Sequence, residues 1–250
     1  MQISKIEPEI ISLAETESTN QYVKELLATG KPKEGTVVVA DFQTRGRGQK
    51  GNGWHSQKGE NLLFSLLIYP SGIAPNRQFI ISRVISLALL RTLGKYADGV
   101  KIKWPNDIYI GKRKIAGILI ENSLLGRNIS DSIIGVGLNV NQTVFPEDLP
   151  NPISLRQLTS ELHDRSLMLS QILACFFQIY DEVKNGDSSS VEDEYLQNLF
   201  QIDEFCSYKD ENGRFEARIT DVQPTGHLVM RTRETDEERI YAFKEVEFVF

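Results

Sequence analysis

The chain has 250 residues, 40% hydrophobic and 25% charged, which is typical of a globular protein. Its 28 basic residues are outnumbered by 34 acidic ones, and the net charge of −6 disfavours a protein that mainly holds nucleic acid by its phosphates. No apolar run approaches the roughly 18 residues of a membrane helix, and the charged, proline-containing start lacks the apolar centre of a signal peptide. We therefore expect a soluble cytoplasmic protein.

Apolar periodicity predicts the elements of the first 200 residues. A short strand at 10–14 precedes a helix that begins at Ser18 and ends near Gly30, and Gln21 lies where a capping box with Ser18 would place it. Further strands are predicted at 36–40, 62–69, 100–104, 108–110, 115–121 and 132–140. Further helices are predicted at 78–96, 167–184 and 191–200.

Near residue 203 the pattern changes, because helical periodicity gives way to short alternating segments separated by turn signals. Strands are predicted there at 214–220, 228–233, 239–243 and 245–250. Such a pattern is typical of a small β-barrel. The predicted division is therefore a first domain at 1–202 and a β-domain at 203–250.

A long loop at 43–61 joins two predicted strands and is rich in glycine and in cations. It contains Gly46, Gly48, Gly51 and Gly53, with Arg45, Arg47 and Lys50 among them. Glycine lets the backbone approach a ligand closely, and the cations favour an anionic ligand. The G-x-G-x-x-G spacing lacks the following helix and acid of a dinucleotide site, and a P-loop lysine is also missing. Composition alone leaves an anion-binding loop and an unstructured surface loop equally open.

A second polar group follows a proline that ends a predicted strand. It consists of Asn106 and Asp107, with Lys114 seven residues after Asp107. One carboxylate beside phosphate oxygens is a normal magnesium arrangement, and a nearby lysine stabilises charge developing on a phosphate or carboxylate. The alternative is a solvated Asp–Lys hairpin. A later strand contains Gly135 and Gly137, which indicate the close approach of a ligand or another backbone.

Four segments together resemble biotin–protein ligases, in the order and spacing of that family. They read ESTN at 17–20, QTRGRG at 43–48, KWPND at 103–107 with KIAGILIE at 114–121, and GVGLNVN at 135–141. With the C-terminal β-domain they cover nearly the whole chain. The resemblance implies an α/β fold (α+β in arrangement), with a mixed-sheet biotin/lipoate-ligase-like catalytic domain and a small C-terminal SH3-like β-barrel.

The resemblance also implies an ATP-dependent enzyme that makes biotinyl-5′-AMP and transfers biotin to a lysine of a biotin carboxyl carrier domain. ATP and Mg²⁺ are the implied cofactors, with biotin as substrate. The implied partners are biotin, ATP and the carrier domain of a biotin-dependent carboxylase, without nucleic acid or membrane; a homodimer is left open. Because few residues precede Ser18 and the net charge is negative, no DNA-binding repressor activity is expected.

The site residues follow from the same resemblance, position by position. The implied catalytic residues are Lys114, Arg47 and Asp107, and Asp107 is also the implied metal ligand. The implied biotin-binding residues are Ser18, Thr19, Asn20, Gln43, Gly46, Arg47, Gly48, Gln49, Lys114 and Gly117. The implied ATP- and adenylate-binding residues are Arg47, Trp54, Asn106, Lys114 and Asn139. Many members of the family carry arginine where this chain has Gln49.

Two other functions are kept as alternatives: a lipoate–protein ligase-like acyl transferase, and a non-catalytic biotin- or nucleotide-binding regulator. The compact glycine loop, KWPND and the small barrel favour biotin over lipoate. The presence of both Arg47 and Lys114 disfavours a regulator that only binds. We also expect the glycine loop to be disordered in the empty protein and to close over biotin and the adenylate, because ordering it has an entropic cost that ligand binding must offset.

Overall fold

The structure is a computed structural model that describes residues 6–250, apart from the side chain of Lys50. Within these residues it contains 12 strands and five α-helices. The strands are β1 (Glu9–Leu13), β2 (Thr36–Ala40), β3 (Leu62–Ile68), β4 (Val100–Lys103), β5 (Asp107–Ile110), β6 (Arg113–Leu125), β7 (Asn128–Leu138), β8 (Cys206–Asp210), β9 (Gly213–Val222), β10 (Leu228–Thr232), β11 (Glu238–Tyr241) and β12 (Glu247–Phe248). The helices are α1 (Thr19–Thr29), α2 (Phe79–Leu93), α3 (Leu155–Thr159), α4 (Arg165–Lys184) and α5 (Ser189–Gln197).

The first seven strands form one mixed sheet with the order β1-β2-β3-β7-β6-β5-β4. Strands β1 and β2 are parallel, and the other neighbours are antiparallel. Parallel pairing of β1 with β2 requires a crossover, and α1 supplies it. The mixed α/β sheet expected from the sequence is confirmed.

Helices cover the two faces of this sheet unequally. Because side chains alternate between faces along a strand, Phe64 and Leu66 of β3 pack into the large core with α2 and α4. Leu67 of β3 points the other way and packs against Val23 of α1, together with Ile133 of β7. One face therefore has two long helices, whereas the other has only α1, which is 11 residues long.

The α1 face of the sheet is left open where glycines replace larger side chains. Gly135 and Gly137 follow Ile133 at period-two spacing on β7 and therefore share its face. Gly137 is paired with Gly117 of β6, and Gly135 with Ser65 of β3. Two adjacent rows of the sheet thus carry small residues just beyond the part that α1 covers. This is the space in which the candidate site is formed.

The last five strands form a separate antiparallel sheet with the order β11-β10-β9-β8-β12, which fits the expected SH3-like barrel. Its buried side chains, among them Tyr208, Ile219 and Met230, belong to the same apolar cluster as α2 and α4. Trp104 and Arg83 also donate hydrogen bonds to carbonyl oxygens of this part of the chain. The division at 202/203 stays a prediction, because the apolar core runs across it.

Several local predictions differ from the structure. Helix α3 and strand β8 were not predicted, since α3 is only five residues long and β8 contains one fully buried residue. Strands β6 and β7 extend beyond their predicted ends as a long hairpin. The capping box at Ser18 is wrong, because the Ser18 side chain makes no cap hydrogen bond; a different N–H of the first turn, that of Thr19, donates to the side chain of Gln43.

Helix α4 packs its apolar inner face into the large core, against α2. Within residues 6–250, no helix is both long enough and apolar enough to cross a membrane. Cys175 and Cys206 are both free, so no disulfide joins the two sheets.

Candidate active site

Segments that are far apart in the sequence meet around one cavity of about 190 Å³ on the α1 face of the sheet. Its lining includes Ser18, Thr19, Asn20, Gln43, Arg47, Gly48, Gln49, Trp54, Asn106, Asp107, Lys114 and Gly117, all expected from the sequence. A larger cavity of about 800 Å³ lies on the C-terminal sheet, between the β8–β9 turn and β11. None of the four family-like segments contributes to that larger cavity, so the candidate site is the smaller one.

The end of the cavity beside α1 is formed by hydrogen-bonded polar side chains. Gln43 Oε1 accepts from the backbone N–H of Thr19 at 2.8 Å and lies 3.1 Å from the Thr19 hydroxyl. Ser65, which is fully buried, lies behind this pair with its hydroxyl 2.7 Å from that of Thr19. A helix N-terminus has free N–H groups, and one of them is used here to orient Gln43 rather than to bind a ligand.

Asn20 completes this end and is held from three sides. Its Nδ2 group donates to Glu121 Oε2 at 2.8 Å and approaches the carbonyl of Leu119 at 3.4 Å, while its Oδ1 lies 2.5 Å from the Ser65 hydroxyl. Lys24 donates to the other oxygen of Glu121 at 2.6 Å. Burial raises the pKa of the Glu121 carboxyl, but the hydrogen bonds from Lys24 and Asn20 outweigh burial and hold that pKa below its ordinary value.

The glycine loop folds back on itself and carries Trp54 into the cavity. Arg47 bridges to Gly53, and the Gly48 N–H donates to the carbonyl of Asn52 at 2.7 Å. The Trp54 indole then lies against the paired glycines of β6 and β7: a Cβ on Gly117 would stand 2.9 Å from the ring, and one on Gly137 would overlap it. Gly135 and Gly137 were predicted to allow the close approach of a ligand or a backbone; in the structure side chains approach them, Asn20 at Gly135 and Trp54 at Gly137.

Cationic side chains gather at the other end of the cavity. The Lys114 ammonium lies 2.8 Å from Asp107 Oδ1 and 5.6 Å from the Trp54 ring. Lys103 lines the same end, where burial lowers its pKa and the nearby Asp107 only partly opposes that effect. Arg47 also lines the cavity; it forms no ion pair within 4 Å among the described residues, and its charge helps to lower the pKa of Glu121. We name this region the cationic end.

Asp107 and Asn106 are placed by the turn that follows β4. Asn106 and Ile118 exchange two hydrogen bonds, with the Asn106 side chain donating at 2.8 Å and the Ile118 N–H donating at 2.9 Å. These bonds fix the turn against β6. Asp107 Oδ1 is buried and accepts no hydrogen bond of acceptable geometry, although the Lys114 charge is close. A buried carboxylate oxygen of this kind is suited to a further cation or proton donor.

Two predicted site residues do not line the cavity. Gly46 supports the loop from behind, with its carbonyl accepting from the Trp54 N–H at 2.9 Å, and a side chain there would overlap the Trp54 carbonyl. Asn139 is buried, and its Nδ2 donates to the carbonyl of Ile153 at 3.1 Å. The roles implied for both residues stay predictions.

Other residues at the site were not singled out from the sequence. Ser65 lies inside an apolar run and carries no local signal, and Lys24 is an ordinary residue of an amphipathic helix. Phe243 lines the cavity from the C-terminal sheet and packs edge-on against Trp104. Glu121 is part of a family-like segment, yet only the structure reveals its contact with Asn20.

Comparison with known proteins places this fold and site in a known class. A family model for the biotin/lipoate A/B protein ligase family matches residues 13–139. The bifunctional ligase/repressor BirA of Bacillus subtilis is 32% identical over 224 residues, which cover 87% of this chain and 68% of that protein. The chain belongs to the biotin/lipoate A/B protein ligase family.

Other similar proteins are named as biotin ligases. The biotin–[acetyl-CoA-carboxylase] ligase of Mycobacterium tuberculosis is 31% identical over 166 residues, or 64% of this chain and 60% of that protein. The structure of the biotin protein ligase of Aquifex aeolicus in complex with biotin and ATP superposes with a TM-score of 0.79 at 26% identity. That alignment covers 96% of this chain and 99% of the Aquifex chain, so it includes both sheets.

Proposed function

We propose that this chain is an ATP-dependent biotin–protein ligase, which activates biotin as biotinyl-5′-AMP and transfers it to a lysine of a biotin carboxyl carrier domain. The observation that carries the proposal is the meeting of all four family-like segments around one cavity, with polar groups at one end and cations at the other. Family membership and the relatives with named biotin ligase activity support the same function.

In this proposal the cyclic urea of biotin lies at the α1 end of the cavity. A urea ring both donates and accepts hydrogen bonds, and Thr19, Asn20 and Gln43 supply polar groups of both kinds there. The dithiolane of lipoate has no such groups, and a site built to hydrogen-bond a ligand rejects an analogue that leaves its buried polar groups unpaired. The polar α1 end therefore favours biotin over lipoate.

The carboxylate of biotin then lies toward the cationic end, where it must meet the α-phosphate of ATP. Attack by the carboxylate oxygen forms the acyl–phosphate bond and expels pyrophosphate. Two anions must approach each other for this step, so Arg47 and Lys114 screen their repulsion and Lys114 stabilises charge on the reacting oxygens. Holding both reactants in one cavity contributes further, because well-oriented neighbours react with effective molarities of about 10⁵ M or more.

A magnesium ion is implied by the nucleotide and fits one residue of the site. Asp107 offers a buried carboxylate oxygen whose charged neighbour is Lys114, and Mg²⁺ is commonly held by one or two carboxylates together with substrate phosphates. Across the described chain, no three acidic, histidine or cysteine side chains cluster as a metal site of their own. Asp107 would thus hold an ion that arrives with ATP, and the ion would neutralise phosphate charge.

Transfer requires a neutral lysine amine from the carrier domain. Its nitrogen attacks the carbonyl carbon of biotinyl-5′-AMP, the amide bond forms and AMP leaves. Asp107 is the one carboxylate among the lining residues that the structure describes, and it is suited to take the proton that the amine loses. The Lys114 ammonium lies beside Asp107 and stabilises the negative charge of that carboxylate between adenylation and transfer.

The direct test is biotin transfer to a purified biotin carboxyl carrier domain, detected with streptavidin, with and without MgATP. We expect transfer only with ATP, one pyrophosphate released per biotin activated, and no transfer of lipoate. Binding of biotin without pyrophosphate release would support a regulator instead. Transfer of lipoate in preference to biotin would support the acyl transferase alternative.

A further inference from the structure

Glu121 lies behind the cavity wall and not in it, yet it contacts a residue of the site. It follows Leu119 on β6 at period-two spacing, so its side chain leaves the sheet on the α1 face. There it accepts hydrogen bonds from Asn20 at 2.8 Å and Lys24 at 2.6 Å. The carboxylate thus connects the first turn of α1, which forms part of the cavity, with the strand below it.

The contacts of Asn20 determine which way round its amide group lies. Reversing the amide would bring Oδ1 against the carboxylate of Glu121, where two acceptors would face each other without a hydrogen between them. In the observed orientation, both hydrogens of Nδ2 point away from the ligand space, toward Glu121 and the carbonyl of Leu119. The ligand therefore meets a carbonyl oxygen.

One acceptor position of that oxygen remains free. Asn20 Oδ1 lies 2.5 Å from the Ser65 hydroxyl, which occupies one of its two lone pairs. Among the described residues no second donor reaches Oδ1, which packs against Gly135, where a Cβ would overlap it. A group that binds there must donate a hydrogen bond, as the N–H of a cyclic urea does.

We propose that Glu121 is a positioning residue that fixes the Asn20 amide with its carbonyl oxygen toward the ligand, and so selects a ligand with an N–H donor at the α1 end. The inference rests on the proposed biotin ligase function and names one determinant of its selectivity. Glu121 acts on the ligand through Asn20, so its main effect is expected on the binding of biotin; the charge of Arg47, which also acts on Glu121, provides the weaker link to the ATP step.

The test compares Glu121→Met, which keeps the size and removes both acceptors, with Glu121→Gln, which keeps one acceptor oxygen. We expect Glu121→Met to raise the KM for biotin by about 10- to 100-fold, as small misplacements of a contact group do, with little change in the KM for ATP. Glu121→Gln restores most of the affinity, because its amide oxygen can still accept from Asn20. Lys24→Met has a small effect, since Lys24 is 40% exposed and its ion pair is screened.

A double-mutant cycle with Asn20→Ala separates positioning from general damage. If Glu121 acts through Asn20, adding Glu121→Met to Asn20→Ala raises the KM for biotin no further. The matched control is Glu25→Met, the same chemical change on an exposed residue of α1. Additive effects in the cycle, or a Glu121→Met variant whose KM values for biotin and ATP rise together with a lower Tm, would overturn the proposal.

Wild-type protein in the same assay keeps the two proposals apart. If it transfers biotin and Glu121→Met binds biotin normally, only the role of Glu121 is wrong. If the wild-type protein activates no biotin at all, the proposed function fails first.

Discussion

Polar side chains at the α1 end of the cavity are bonded to one another, whereas the charged side chains at the cationic end have few partners. Thr19, Asn20, Ser65 and Gln43 form a continuous network with fixed donors and acceptors. At the cationic end Arg47 forms no ion pair within 4 Å among the described residues, and burial lowers the pKa of Lys103. The first arrangement suits recognition of a neutral ring, and the second suits stabilisation of anions that arrive with the substrates.

The largest effect is expected from Lys114→Ala at the cationic end. Removing a charge that stabilises the reacting oxygens lowers the rate by about 10²- to 10³-fold, as the loss of one such donor does elsewhere. Pyrophosphate release in single turnovers measures this rate. Because Lys114 is partly exposed, its removal should leave the Tm nearly unchanged. An unfolded variant would show that Lys114 is structural.

Two glycine substitutions should damage the two ends separately. Gly135→Ala places a methyl group against Asn20 Oδ1, so we expect the KM for biotin to rise by about 10²-fold with a smaller effect on ATP. Gly137→Ala places its methyl group in the Trp54 indole instead, so adenylation should suffer more than biotin binding. Steady-state kinetics with each substrate varied in turn gives the comparison.

Gly30→Ala is the matched control for both glycine variants, because a Cβ there meets no atom within 4 Å. Equal losses for biotin and ATP in both variants would show that the two ends do not work independently.

A smaller effect is expected where the C-terminal sheet supports the cationic end. Trp104 donates to the carbonyl of Gly226 at 2.9 Å, and Phe243 packs beside it on the cavity wall. Trp104→Phe leaves that carbonyl without its donor and should lower the free energy of unfolding by about 1–3 kcal/mol. Denaturant titration measures this loss. We expect the KM for ATP to rise a few-fold while biotin binds as before; a selective loss of biotin binding would contradict this assignment.

Ionic strength provides the mildest comparison. The Debye length falls from about 10 Å at 0.1 M salt to about 3 Å at 1 M, so salt weakens attraction between exposed charges. The KM for ATP should therefore rise as salt is added. Binding of biotin methyl ester, which keeps the urea ring and lacks the carboxylate, should change little. Isothermal titration calorimetry with both ligands checks this, and equal salt dependence would place charges at both ends.

The strands of the sheet and the residues of the site were predicted better from the sequence than the contacts that those residues make. Continuous apolar runs located β2 and β3 closely, because nearly every residue of these two strands is buried. The local signal at Ser18 was misleading: its side chain forms no cap hydrogen bond, and the first N–H of the helix donates to Gln43, more than twenty residues away. Local pattern does not reveal such a long-range partner.

Contacts between distant residues explain what was missed at the site. Asn20 and Glu121 are 101 positions apart, and Asn20 and Ser65 are 45 apart, so no spacing rule connects them. Asn139 was expected beside the nucleotide, but its amide is used to hold the carbonyl of Ile153. An asparagine at position 139 indicates that a hydrogen bond is made, but the residue type does not indicate which group is the partner.

The position at which α1 begins has a consequence for the size of the substrate. At 1.5 Å per residue, the 11 residues of α1 span about 16 Å and end where the glycine rows of the sheet begin. One further helical turn at this end would add about 5.4 Å of helix before Thr19, where Ser18 and Thr19 line the cavity. Gln43 blocks such an extension by holding the N–H of Thr19. The position at which α1 begins therefore limits the length of the cavity. Moving that position by one turn is a route to a ligase for shorter or longer acids.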